Sequence, residues 1–333
     1  MRKLWLLALS LGLGATGAAQ AQTKEVTFGY QDMVVPFRVA QAAGAVEKAT
    51  GTKITWKQFG GGGDVIRAFA SGDLPIGEVG SSPAATAAAQ GLDVQVIWIL
   101  DDINNAEQLV ARNGSGIGAL ADLKGKKVAT PFVSTAHYQL LFALKKAGVS
   151  PGDVQTVNLR PAEIAAAWER GDIDATFIWD PVLSKVKANG KVVLSAADVA
   201  KQGAPTFDAI IVDRVWAEKN KAFVTALVKE IAKANEAYKA GKDKYTKESE
   251  EVKAIAKTVG GSPETVPATL ADYAFPTPAE QASDAWLGGG KESGVAKALA
   301  NTAVFLKEQG RITDIPADFG KFVNPEFAAA AAK

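Results

Sequence analysis

Residues of opposite chemistry stand at a few punctuated positions of this chain. Glu107 opens the strand-like run Gln108-Leu109-Val110-Ala111, and Asp208, 101 positions later, opens Ala209-Ile210-Ile211-Val212. A carboxylate at the mouth of a buried strand is costly unless a cation faces it. The two acids are therefore read as a pair that meets one ligand ammonium from opposite sides, with solvated loop carboxylates as the plainer alternative. Trp179 ends another apolar run, where its ring could cover that ammonium or simply pack in the core. The complementary chemistry lies in Tyr30-Gln31, Gly80-Ser81-Ser82-Pro83 and Phe132-Val133-Ser134-Thr135. The last two segments precede helical stretches, whose first N–H groups have no partner within the helix and favour an anion. N-capping accounts for each segment taken singly. Together they point to an anion site with Tyr30, Gln31, Ser81, Ser82, Ser134 and Thr135 around it.

His137 is the only histidine, which removes most histidine-based catalytic and zinc arrangements. Its place in the first turn of a helix makes it either a donor to the anion or a partly exposed side chain. Gly60 to Gly63 with Asp64 looks like a phosphate loop but lacks the Gly-Lys-Ser/Thr ending, so a turn capped by Asp64 is expected. No metal-ligand spacing or nucleophile elbow occurs. The expectation is a binder without cofactor or metal, not an enzyme.

These positions need elements to hold them. Strand-like and helical runs alternate from Glu25 onward, the signature of a parallel sheet flanked by helices. Helices are expected over residues 36–49, from 64, over 135–147 and over 162–170, with strands near 54–59, 127–130 and 154–159. The order then repeats. Ala68-Phe69-Ala70-Ser71-Gly72-Asp73-Leu74 matches Ala167-Trp168-Glu169-Arg170-Gly171-Asp172-Ile173 at an offset of 99, and in both a glycine closes a helix before a strand. With the offset of the two acids this predicts two lobes of one topology, each a mostly parallel sheet flanked by helices. Lobe 1 is residues 22–107 and 208–333, lobe 2 is 108–207, and the runs after Glu107 and Asp208 are the expected crossings. Helical periodicity continues over 221–239, 248–259, 263–273 and 294–309. These segments are assigned to lobe 1, with a loop at 201–205 and a frayed tail at 328–333.

The first residues address the compartment. Arg2 and Lys3 precede an apolar run ending near Gly14, and Ala19-Gln20-Ala21 supplies a small-x-small site, so residues 1–21 read as a cleaved signal peptide. The run is shorter than the roughly 20 residues of a spanning helix. With no cysteine, neither a lipid anchor nor a disulfide is available, and stability rests on the core. The 47% hydrophobic content supports two cores. Loss of Arg2 and Lys3 takes the formal charge from +1 to −1, too little for nucleic acid or an anionic membrane. A small-molecule partner, a periplasmic location and a monomer are expected.

On these residues the chain resembles the taurine-binding proteins of taurine ABC importers, in the sulfonate/nitrate-type periplasmic binding family. The matching stretches are Tyr30-Gln31, residues 67–76, Gly80-Ser81-Ser82-Pro83, 131–140, Ala166 with Trp168 and Gly171-Asp172-Ile173-Asp174, Gly203-Ala204-Pro205-Thr206 with Asp208, and 305–310. The resemblance spans nearly all of residues 22–333. It implies a two-lobed periplasmic binding protein of type II that delivers taurine, or a related small sulfonate, to the membrane subunits of an ABC importer. It also implies a sulfonate held around Ser81, Ser82, Ser134 and Thr135 and an amine held by Glu107 and Asp208. Departures from the family pattern lie at 32–35, at 101–104 and at Asp180. The alternatives are a binder of another sulfonate, nitrate or a thiamin precursor, or an enzyme of the pyrimidine-precursor synthesis type.

Overall fold

A computed structural model describes residues 23–333; the expected signal peptide, 1–21, lies outside them. Among the described residues ten strands form two five-stranded sheets. The first contains β1 (Glu25–Tyr30), β2 (Lys53–Gln58), β3 (Ile76–Gly80), β4 (Val94–Asp102) and β10 (Phe207–Asp213) in the order β2-β1-β3-β10-β4. The second contains β5 (Glu107–Arg112), β6 (Lys127–Thr130), β7 (Gln155–Asn158), β8 (Ala175–Trp179) and β9 (Gly190–Ser195) in the order β7-β6-β8-β5-β9. The two orders are the same plan. In each sheet one strand, β10 or β5, runs antiparallel to both neighbours, and it is the strand that arrives from the other half of the chain.

The crossings differ from expectation. The runs after Glu107 and Asp208 are central strands of one sheet each, where ladder hydrogen bonds on both sides fix them. The chain passes between sheets just before them, and the two passages touch where Ile103 N–H donates to the Thr206 carbonyl at 3.2 Å.

The matched helix ends are real structural equivalents. Gly72 and Gly171 take φ of 78° and 81°, the left-handed geometry that stops a helix at little cost only in glycine. Both precede a fully buried strand, β3 and β8. The stretch over 36–49 is two helices, Phe37–Ala42 and Ala45–Thr50, divided at Gly44 with φ 61°. The helix Gly62–Ala70 starts two residues earlier than expected, so Asp64 lies in its first turn instead of capping it.

One core joins the first sheet to the helices Lys221–Ala240, Glu250–Val259 and Gly294–Glu308; another lies on the second sheet around Leu109, Phe177 and Trp179. A smaller cluster, Tyr138 and Leu141 with Phe305 and Leu306, ties the C-terminal helices to the second sheet's side. The tail is not frayed: Glu326–Ala331 is helical and buries Phe327 and Ala328, because its short apolar face lies against helix Lys221–Ala240. Among the described residues no helix is long and apolar enough to cross a membrane.

Candidate functional site

Where the carboxyl ends of the two sheets face each other, a cavity of about 20 Å³ is lined by Gln31, Met33, Gly62, Gly80, Pro83, Glu107, Ser134, Thr135, Trp179, Asp208 and Tyr273. Roughly 10–15 Å³ on this scale holds one water, so as it stands the space between the sheets holds one or two waters. The lining divides into two kinds of surface.

One end is built from helix starts. Gly62, Pro83, Ser134 and Thr135 all belong to the first turns, or the cap, of the helices Gly62–Ala70, Ser81–Ala89 and Thr135–Lys146. Ser134 has extended backbone and its Oγ accepts from His137 N–H at 3.0 Å while donating to the Pro131 carbonyl at 2.6 Å, an N-cap of the usual kind. Three helix N-termini directed at one space make it electropositive without a charged side chain.

The second kind of surface is acidic, and it adjoins the first at Thr135. β10 pairs Asp208 with Gly80 on one side and Asp101 on the other, and β5 pairs Glu107 with Trp179. Asp208 and Glu107 therefore stand at corresponding places in the two sheets. Thr135 Oγ1 donates to Glu107 Oε1 at 2.6 Å, but Glu107 Oε2 is buried with no hydrogen-bond partner. Burial first, and then the neighbouring Asp208, push the Glu107 carboxyl up to about 8, the Thr135 bond opposing. Asp208 is pushed up to about 7 by burial, with Glu78 adding to it and the Asp101 hydrogen bond and Arg38 acting the other way. A buried carboxyl that lacks a cation rises in this way because the charged form loses its water.

Aromatic and apolar side chains close the middle. Trp179 is 6% exposed, and its Nε1 donates to Asp32 Oδ1 across the cleft at 2.7 Å. Burial pushes the Asp32 carboxyl up to about 6, with the Trp179 bond opposing. A second link across the cleft joins Arg160 Nε to Asp64 Oδ2 at 3.0 Å.

Of the residues singled out from the sequence, Gln31, Glu107, Ser134, Thr135, Trp179 and Asp208 meet at this cavity. Tyr30 packs on Trp56 with the Arg38 guanidinium 5.1 Å from its ring centre, away from the cavity lining. Ser81 Oγ is turned to the Phe207 N–H at 3.4 Å. Ser82 and His137 line a neighbouring cavity with Phe132 and Arg311. His137 stacks on Phe132 at 4.3 Å, and burial, then Arg311, lower it to about 4, so the ring is neutral near pH 7. Asp180 holds the next helix, accepting from Ser184 N–H at 2.7 Å and from the Thr269 hydroxyl.

Several positions at or behind this cavity are not singled out by the sequence. Met33 and Tyr273 line the cavity, and behind Asp208 lies a fully buried ion pair in which Arg38 donates to Glu78 at 2.8 and 2.5 Å. Glu78 did leave a signal, a charge inside the otherwise uncharged strand Ile76-Gly77-Glu78-Val79-Gly80. Tyr273 left none, since it reaches the cavity from a distant part of the chain. No group of residues able to hold a metal occurs among the described residues.

The family described as NMT1/THI5 like matches residues 34–245. The taurine-binding periplasmic protein of Escherichia coli (strain K12) is 38% identical over 93% of this chain and 94% of its own length. The structure of the alkanesulfonate-binding protein SsuA from Xanthomonas axonopodis pv. citri bound to MOPS superposes with a TM-score of 0.73 and 26% identity, over 88% of this chain and 96% of that one. The desulfurization enzyme DszB, at 15% identity and a TM-score of 0.61 over 93% of this chain and 99% of that one, shares the fold alone. Two like sheets around one cleft and these relationships place the chain in the NMT1/THI5-like family, among its two-lobed periplasmic solute-binding proteins of the sulfonate-binding group.

Proposed function

We propose that the ligand is taurine, 2-aminoethanesulfonate, bound as its zwitterion between the lobes and handed to the membrane subunits of an ABC importer by a monomeric, exported carrier that catalyses no reaction. The observation that carries this reading is the meeting of Asp208 and Glu107 at one cavity, both buried and facing no protein cation there, beside the helix N-termini that line the same space. A ligand with an anion alone would leave two carboxyls without a partner in a closed space, at a cost of several kcal/mol once they ionise. A ligand carrying an ammonium two carbons from a sulfonate satisfies both ends. Met33, Trp179 and Tyr273 then flank the short carbon linker, and Trp179 offers its ring to the cation, a contact of about 0.5–2 kcal/mol.

The reading as carrier also has a chemical basis. The one histidine is neutral, stacked on Phe132 and outside the cavity, so no imidazole base stands beside the Ser134 and Thr135 hydroxyls. Calorimetric titration with taurine, ethanesulfonate, nitrate and sulfate tests the assignment. Taurine is expected to bind at least tenfold more tightly than ethanesulfonate, a margin of about 1.4 kcal/mol. Equal affinity for the two, or preference for an inorganic anion, sinks it.

A further inference from the structure

Asp101 is fully buried on β4, opposite Asp208 of β10, and neither of its oxygens receives an N–H or hydroxyl donor from the described residues. The Asp208 carboxyl faces it across the ladder, and each carboxyl acts on the other's titration. The other groups that act on this pair are Glu78 on β3, Asp102 on β4, Glu107 on β5, the Tyr273 phenol and the Arg38 guanidinium. Only Arg38 is cationic, and its donors are taken by Glu78, Gln41 and the carbonyls of Met33 and Gln31. Two carboxyls can hydrogen-bond to each other only if one of them carries a proton. Asp101 thus has no role in lining the cavity and no partner except through a proton.

We propose that Asp101 is a positioning residue for the ligand ammonium: it shares one proton with Asp208 when no cation is bound, and an entering amino-sulfonate displaces that proton to solvent. The ammonium takes the place of the proton as the countercharge of Asp208, so charge in the buried cluster is conserved. A sulfonate without an amine has nothing to exchange and leaves the proton where it is. The direction of the Asp101 shift agrees: its carboxyl is held well above the usual range by burial first, then by Asp208, Asp102, Glu107 and Glu78. Selectivity then depends on pH. Affinity for taurine rises with pH by up to about tenfold per unit while the pair is protonated in the unbound protein, because proton release sets that slope. Affinity for ethanesulfonate does not rise with pH.

The proposal rests on the ammonium reading of the site and is tested separately from it. Taurine is titrated into the purified protein at pH 6.5 in two buffers of different ionisation enthalpy, and the difference in heat counts the protons released. The expected result is release of about one proton or more with taurine and none with ethanesulfonate. Asp101→Asn, whose amide can donate to an ionised Asp208, should release about one fewer and flatten the pH dependence of affinity. Heats independent of buffer overturn the proposal on the unaltered protein alone, whether or not the variant folds. A variant that releases as many protons as the parent also overturns it and assigns the proton to Glu107. Failure of taurine to bind at all would instead break the ammonium reading.

Discussion

The two lobes end equivalent strands with unlike residues. β3 of the first lobe ends at Gly80 opposite Asp208, and β8 of the second ends at Trp179 opposite Glu107. Gly80 offers no side chain, so the Thr135 helix start of the other lobe comes close: a Cβ built on Gly80 would lie 2.6 Å from Thr135 Cγ2 and 3.2 Å from Asp208 Oδ1. Trp179 instead fills its corner with a ring anchored to Asp32. The acids differ as well. Asp208 has a second carboxyl, Asp101, on the adjoining strand, whereas Glu107 lies beyond the β9 ladder and is held by the Thr135 hydroxyl. A repeated backbone plan thus presents a carboxylate from each lobe, and the residue paired with it decides whether the neighbourhood is a close helix start or an aromatic wall. That asymmetry suits a ligand with two different ends.

The largest expected effect comes from Asp208→Asn. Affinity for taurine should fall by about 2–5 kcal/mol, the usual loss when one partner of a desolvated charge pair is removed. This corresponds to roughly 30-fold to several thousand-fold in Kd. Ethanesulfonate should lose little. Glu107→Gln should show the same selectivity with a smaller loss, because one Glu107 oxygen already has its hydroxyl. Calorimetry on variants of unchanged ligand-free melting temperature measures both. Equal loss for both ligands would erase the distinction between an acidic and an anion-binding end.

Gly80→Ala tests the close approach. Overpacking at a fixed contact costs about 1–3 kcal/mol, so every ligand should bind about 5-fold to 150-fold more weakly, taurine and ethanesulfonate alike. Lobe opening relieves the clash, so the ligand-free melting temperature should change little. A selective loss for taurine would mean that the methyl disturbs Asp208 and not lobe contact.

The last effect is on folding stability against pH, not on affinity. Asp32, Glu107 and Asp208 have folded values raised to about 6, 8 and 7. Their stabilising contribution is fully present below the ordinary carboxylate range and is lost as pH rises through those values. His137, lowered to about 4, acts oppositely: its contribution is present above about 6.5 and lost as pH falls towards 4. The ligand-free melting temperature should therefore drop by several degrees between pH 6 and 9, at about 2–4 °C per kcal/mol. Saturating taurine should reduce the drop, and ethanesulfonate should not. A flat profile would show that these carboxyls are solvated in the unbound protein.

Much of this was written locally. Gly72-Asp73 and Gly171-Asp172 mark helix ends whose positive φ is a local requirement, and the period of the apolar residues located the helices over Lys221–Ala240 and Gly294–Glu308 within a residue or two. Six of the ten candidate site residues reach one cavity because strand ends and helix starts in an α/β sheet converge there. Tyr30 and Ser81 carry the right chemistry but point elsewhere: which way a side chain turns at a strand end depends on neighbours such as Trp56 and Phe207, far away in sequence. The tail departs from the expected fraying for a similar reason, since six mostly alanine residues show no period until Phe327 and Ala328 find helix Lys221–Ala240.

By itself the sequence determined the repeated α/β plan, the helix starts rich in small hydroxyl residues and the presence of an acid in each half, because these depend on local conformation and on periods of two and 3.6 residues. Tertiary structure alone decided that Asp101 stands behind Asp208, that Arg38 is committed to Glu78, that Trp179 is tied to Asp32 and that Tyr273 closes the cavity. Each of these depends on strand order and lobe contact, which bring together residues tens to more than a hundred positions apart. The charge state of the acidic end follows from that packing, because burial and neighbouring carboxyls, not residue type, set where a carboxyl holds its proton.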